Sequence, residues 1–320
     1  MGILLSIFEW ILFSSITASF LAVMIIILKL LLKDRFGVRW HYCIWFLVVI
    51  RLLIPYAPQS TFSIFNLFSI VNNSSNQSIN KVPSINKPIL IPQIKKNETL
   101  PNSQSNEFPQ HKIDNEDFKL GLLTAASLIW LLGMLLLSCY IMAGTFRFRL
   151  KLYYQQVCQD SDFLSLVSGC KKEIGISKKV AVIYTDLVKT PAICGFLNPM
   201  LLFPVGLKNQ LCKDELKYIL YHEFAHVKRK DLLFNYIMSV LQVLHWFNPI
   251  LWYTFYRMRQ DAEIACDALA LSHINVDDSK KYGETVIKLA SIIPKKNYAY
   301  GMAGIIGHKY QIKRRITMVS

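Results

Sequence analysis

Between Ile3 and Leu32 the chain is almost continuously apolar, interrupted only by Glu9 and Lys29. A helix of that length crosses the roughly 30 Å hydrocarbon layer of a bilayer, so a membrane span is expected. The run is too long for a signal peptide. No basic residue precedes it, and it ends in Lys33, Arg35 and Arg39 without a small-residue cleavage site.

A second apolar stretch, about Tyr42 to Tyr56, closes at Pro55 and Pro58, and its Arg51 is expected to snorkel towards the interface or to pair with a polar group on a neighbouring helix. Residues 59–117 are dominated by Asn, Ser, Gln, Pro and Lys without a period of 2 or 3.6, as a polar loop would be. A third apolar run, Leu120 to Met142, leads into Arg147, Arg149 and Lys151. The expected divisions are residues 1–58, two transmembrane helices with a basic turn; 59–117, an extracellular loop; 118–144, a third transmembrane helix; and 145–320, a cytosolic domain.

Charge supplies the orientation. The chain is 53% hydrophobic, which excludes a disordered polyelectrolyte, yet its formal net charge is +15. Residues 1–58 hold five basic and two acidic side chains, residues 59–117 five of each, and the remainder 26 and 14. Basic segments stay on the cytosolic side, so the N-terminus and the 59–117 loop are placed outside and residues 145–320 inside. The charge then reports topology, and no nucleic-acid motif accompanies it; direct nucleic-acid binding is not expected. Seven cysteines, odd in number and never in CxxC spacing, read as reduced, buried small side chains.

Inside the basic segment, KVAVIY (179–184) and PMLLFP (199–204) read as short strands of a small sheet. From Lys213 the pattern becomes helical, with Leu216, Ile219, Leu220 and Phe224 at spacings of three and four. That helix carries His222-Glu223-Phe224-Ala225-His226. Positions i and i+4 share a face, so His222 and His226 can both reach one Zn²⁺ ion, and Glu223 beside them can take a proton from a metal-bound water. Glu263 is the expected third ligand. Asp267, one turn later, is expected to accept a hydrogen bond from the outer ring nitrogen of a ligand histidine. The competing reading, in which either acid simply faces water, stays open here. Asp231 and Asp261 are weaker candidates because no motif frames them.

Asp231 to Tyr256 is apolar enough to be a further span, but a crossing would put Glu263 on the opposite side from the histidines. HWFNP (245–249) breaks it in the middle, because Pro249 disfavours helix at Asn248. The expectation is a helical hairpin that lies in the membrane surface or re-enters from the cytosol. Asn235, Gln242 and His245 are expected to be satisfied internally.

The HEFAHVKRKDLLFNYIMSVLQVLHWFNPILWY block, the RMRQDAEIACD block and the upstream KTPAICGFLNPMLLFP stretch, three separate blocks in the right order, resemble the BlaR/MecR-type membrane zinc metallopeptidases. The likeness covers essentially the whole chain. It implies an α+β membrane protein in which three N-terminal transmembrane helices precede a cytosolic gluzincin-like zinc metalloprotease domain, with one zinc ion on His222, His226 and Glu263 and Glu223 as general base. It implies as substrates the protein itself and a cytosolic transcriptional repressor. Ala299–Gly304 lies in the region corresponding to the self-cleavage segment, and the sheet edge at Ile193–Phe203 can take an extended peptide by strand addition. Full-length relatives continue into a fourth span and a penicillin-binding sensor domain, both expected to be absent here. The lipid bilayer is the expected partner, and a homodimer is left open. Rival readings are a quality-control or CAAX-type membrane zinc protease and a non-catalytic membrane signalling subunit.

Overall fold

The apolar N-terminal run is one helix, α1 (Gly2–Leu31), in a computed structural model that describes residues 2–32, 37–54 and 115–292. Its buried face is unlike that of a water-soluble helix in carrying small and polar residues beside Phe8, Ile11 and Ile25. Ser14, Ser15, Ala18, Ser19 and Ala22 are buried along one stripe, while Ile3, Phe13, Ile16, Phe20 and Ile27 are exposed. Small and polar residues turned inward with large apolar ones turned outward is the pattern of a helix that packs on protein through one face and meets lipid through the other.

After α1, the second apolar stretch forms two short helices, α2 (Val38–Cys43) and α3 (Phe46–Leu53). Arg51 on α3 stacks its guanidinium over the Phe13 ring of α1, 5.7 Å from the centroid. Trp40–Leu53 is shorter than the roughly 20 residues of a straight crossing. The 59–117 loop lies almost wholly outside the described residues, as does Ala299–Gly304. Helix α4 (Asn115–Tyr153) has 39 residues and is, with α1, long and apolar enough to cross a membrane. It continues past the expected end at residue 144: Gly144 alone does not break it, and Thr145 returns its hydroxyl to the Ile141 carbonyl at 2.8 Å. The chain divides into two compact units, Met1–Pro55 with Leu123–Ser320, and Tyr56–Leu122. The elements that follow belong to the first.

Helix α5 (Ser161–Ile174) starts at Asp160, whose carboxylate accepts from the Phe163 N–H at 3.0 Å, and stops at Gly175 with φ 83°. Three strands follow: β1 (Ala181–Thr185), β2 (Ala192–Cys194) and β3 (Met200–Pro204). The order is β1-β3-β2, with β1 parallel and β2 antiparallel to β3, so β2 is an edge strand. Both sequence-predicted strands are present, shifted by a residue or two. Phe163, Leu201 and Phe203 pack with Leu220, Tyr221 and Phe224 of α6 (Lys213–Arg229) to form the main core. Helix α9 (Ser279–Ile292) closes this layer through Tyr282.

Between α6 and α9 runs the helical hairpin, α7 (Asp231–Leu244) and α8 (Pro249–Leu271). The break falls at HWFNP, with Pro249 at the first turn of α8 and Asn248 as its cap. Asn248 Oδ1 accepts from Ile250 N and Leu251 N at 2.9 and 3.2 Å. Its Nδ2 donates to the hydroxyls of Ser15 and Ser19 on α1, both at 2.7 Å. At the tip, Trp246 lies so close to Gly133 of α4 that a Cβ there would fall 2.4 Å from the ring. Trp246 also joins the cluster of Phe8, Ile11 and Trp130. At the other end of α1, Lys29 pairs with Asp261 of α8 and donates to the His41 carbonyl at 2.8 Å, while Trp45 Nε1 donates to Asp261 at 2.6 Å. Ile11 and Lys29 are separated by about 27 Å of helix, so the hairpin lies alongside α1 over most of its length.

Candidate metal centre

Helix α6 is fixed at its start by Glu215, which accepts from Cys212 N at 2.8 Å and from Lys288 of α9. With Leu220 and Phe224 buried against the sheet, the neighbouring face turns His222 and His226 toward α8, their ring centroids 5.0 Å apart. Glu263 of α8 comes up opposite them. Its two oxygens lie 3.4 Å from His222 Nε2 and 3.6 Å from His226 Nε2. One donor atom from each of the three residues falls within 4.8 Å of the others. Tetrahedral zinc with bonds near 2.1 Å holds its ligand atoms about 3.4 Å apart, so two imidazoles and a carboxylate in this arrangement fit that ion.

The outer nitrogens orient the rings. His222 Nδ1 lies 2.9 Å from Asp267 Oδ1, and Tyr282 donates its hydroxyl to the same oxygen at 2.6 Å. His226 Nδ1 lies 3.1 Å from Asp231 Oδ2. With both Nδ1 atoms occupied, both Nε2 atoms face Glu263. Burial opposes a charge on His226, but the Asp231 hydrogen bond and the Glu263 carboxylate outweigh it and raise its pKa above the ordinary imidazole value.

His226, Asp231 and Cys266 form a second cluster of donor atoms within 4.8 Å. Its atoms are already matched as hydrogen bonds: Cys266 Sγ donates to Asp231 Oδ2 at 3.1 Å, and Arg229 Nε donates to that oxygen at 3.2 Å. Burial pushes the Cys266 thiol well above its ordinary pKa. In this arrangement the cluster braces the histidine through Asp231.

Glu223 is buried next to His222 and lines a cleft of about 380 Å³ together with Ala192 and Ile193 of the β2 edge and Val286 and Leu289 of α9. All five residues singled out on the sequence, His222, Glu223, His226, Glu263 and Asp267, thus lie at one place. Asp231, ranked lower on the sequence, holds His226. Asp261 pairs with Lys29 on the far side of α8. Of the three polar residues expected to be internally satisfied, Asn235 lines the cleft and Gln242 accepts from Arg259 at 3.3 Å, whereas His245 is buried with its Nδ1 lacking a hydrogen-bond partner among the described residues. Tyr282 carried no motif signal at all.

A histidine pair on one helix, a glutamate from a facing helix and a second glutamate beside the pair define a metallopeptidase-type centre. Here it stands on helices packed against others long and apolar enough to cross a membrane. The chain belongs to the BlaR1 peptidase M56 family, which it matches over residues 10–319. It is 28% identical over 318 residues to the regulatory protein BlaR1 of Bacillus licheniformis, covering 96% of this chain and 50% of that protein. It is 26% identical over 311 residues to the methicillin resistance mecR1 protein of Staphylococcus aureus, covering 96% and 50%. The chain therefore spans about half the length of the curated relatives it matches.

Proposed function

We propose that the protein is a membrane-embedded, zinc-dependent endopeptidase of the signalling type, cleaving itself, a cytosolic transcriptional repressor, or both. The convergence of His222, His226 and Glu263 with Glu223 in one cleft carries this reading. It is supported by the peptidase family and by the regulatory names of the relatives. The outward apolar faces of α1 and α4 fit a bilayer, and the hairpin, lying alongside α1, fits re-entry from the cytosolic side that returns Glu263 to the histidines.

His222, His226 and Glu263 would hold the ion through two Nε2 atoms and one carboxylate. Bound zinc supplies a water acidic enough to act as nucleophile near neutral pH. Glu223 takes a proton from the attacking water and passes it to the leaving amine, a task for a carboxylate beside the donors and not among them. Ala192 and Ile193 of β2 offer the scissile peptide an edge strand, where main-chain hydrogen bonds hold an extended segment with little demand on its sequence.

The test is Glu223→Ala in the full chain reconstituted in lipid. Cleavage of a co-expressed repressor or of the chain itself should fall by at least about 10²–10⁴-fold, while zinc content stays at one ion per chain. Cleavage at the parental rate would remove Glu223 from the mechanism, and zinc undiminished in Glu263→Ala would remove that ligand.

A further inference from the structure

We propose that Asp231 is the positioning residue for His226, and that Tyr42 on the membrane-side helix α2 acts on the metal centre through it. This rests on the zinc reading above. Asp231 opens α7 immediately after Lys230, whose backbone is left-handed at φ 60°, the single non-glycine residue with positive φ among those described. That strained turn folds the chain back so that a carboxylate five residues beyond His226 meets its outer nitrogen.

Four donors from three helices then converge on one side chain that is 3% exposed. His226 Nδ1 and Arg229 Nε come from α6, at 3.1 and 3.2 Å; Cys266 Sγ comes from α8, at 3.1 Å; and Tyr42 Oη comes from α2, at 3.3 Å to the other oxygen. The tyrosine is itself clamped, with Arg229 over its ring at 4.5 Å. Phe46 at the start of α3 meets Phe234 of α7, ring centroids 4.6 Å apart. Any rotation of the α2–α3 elbow relative to α7 must therefore change the hydrogen bonding of Asp231, and the imidazole held by that carboxylate turns with it. Asp267, by contrast, meets His222 of α6 and Tyr282 of α9.

The experiment is a double-mutant cycle on the full chain in lipid nanodiscs, using Asp231→Asn and Tyr42→Phe. Zinc affinity is read by competition with a chromogenic chelator, and ligand geometry by the visible bands of the cobalt-substituted protein. Asp231→Asn should weaken zinc about 10–100-fold, and Tyr42→Phe about fivefold, each with a shift of the cobalt bands. In the Asp231→Asn background, Tyr42→Phe should add nothing, which a purely structural tyrosine would not show. Unchanged affinity in Asp231→Asn, or an equal Tyr42→Phe loss in both backgrounds, overturns the proposal while leaving the zinc reading intact. If Asp231→Asn does not fold, Tyr42→Phe with parental affinity and bands overturns it. A parent chain that binds no zinc overturns both.

Discussion

His222 and His226 lie one turn apart on the same helix, yet their outer nitrogens meet carboxylates from different helices. The His222 brace is Asp267 and Tyr282, from α8 and α9. The His226 brace is Asp231, which also takes donors from α2 and from Cys266. The first brings in α8 and α9, whereas the second reaches the apolar N-terminal elements through Tyr42. Two histidines with the same proposed task thus lean on different parts of the molecule, and His226 is the one tied to Tyr42 of α2 through Asp231.

The strongest way to break that asymmetry is to remove the pillar on which α8 stands. Asp261→Ala takes a carboxylate from both Lys29 and Trp45 and should destabilise the chain by about 3–5 kcal/mol, read by unfolding in detergent. Replacing the pair together, as Lys29→Met with Asp261→Leu, should recover most of the loss. A single change costing under about 1 kcal/mol would show that α1 is not anchored there.

A smaller effect tests the other brace. Asp267→Asn should weaken zinc about 10–100-fold, or roughly 1.4–2.7 kcal/mol, and Tyr282→Phe about fivefold. Because the braces share no side chain, the Tyr282→Phe and Tyr42→Phe losses should add. A large coupling between them, measured by chelator competition, would merge the two braces into one network.

The smallest effect is on pH dependence. Zinc binds neutral imidazole, and His226 is protonated at higher pH than an ordinary histidine because Asp231 and Glu263 favour its charge. Zinc affinity should therefore start to fall already above the usual histidine pKa of about 6.5 as the pH is lowered. Asp231→Asn removes part of that favour and should move the fall to lower pH. A profile identical to the parent's would assign the raised pKa to Glu263 alone.

What could be read from the sequence follows how local each signal is. The helix carrying the histidine pair, the proline break of the hairpin and the Glu263/Asp267 spacing all depend on neighbours within a turn or two, where periodicity and backbone rules apply directly. The β3 strand was legible from its flanking prolines, but β2, three residues long, has too little pattern to stand out. Asp231 was within reach of the rule that ligand histidines lean on carboxylates, yet five residues is not a helical spacing. Only the left-handed Lys230 turn, which no composition signals in a non-glycine residue, makes it a neighbour. Lys29 with Asp261, and Tyr42 with Asp231, are separated by 232 and 189 residues. Pairs that distant leave no trace in a single sequence.

The pairing of Lys29 with Asp261 also bears on how the protein is made. A lysine near the end of an apolar helix enters the ribosome exit tunnel first, and its acidic partner is synthesised 232 residues later. At about 5–20 residues per second this interval is roughly 10–50 s. During that time α1 is in place without the helix that will cover its serine-lined stripe. Ser15 and Ser19 of α1 thus wait for Asn248, at the start of α8, before their hydroxyls meet its amide.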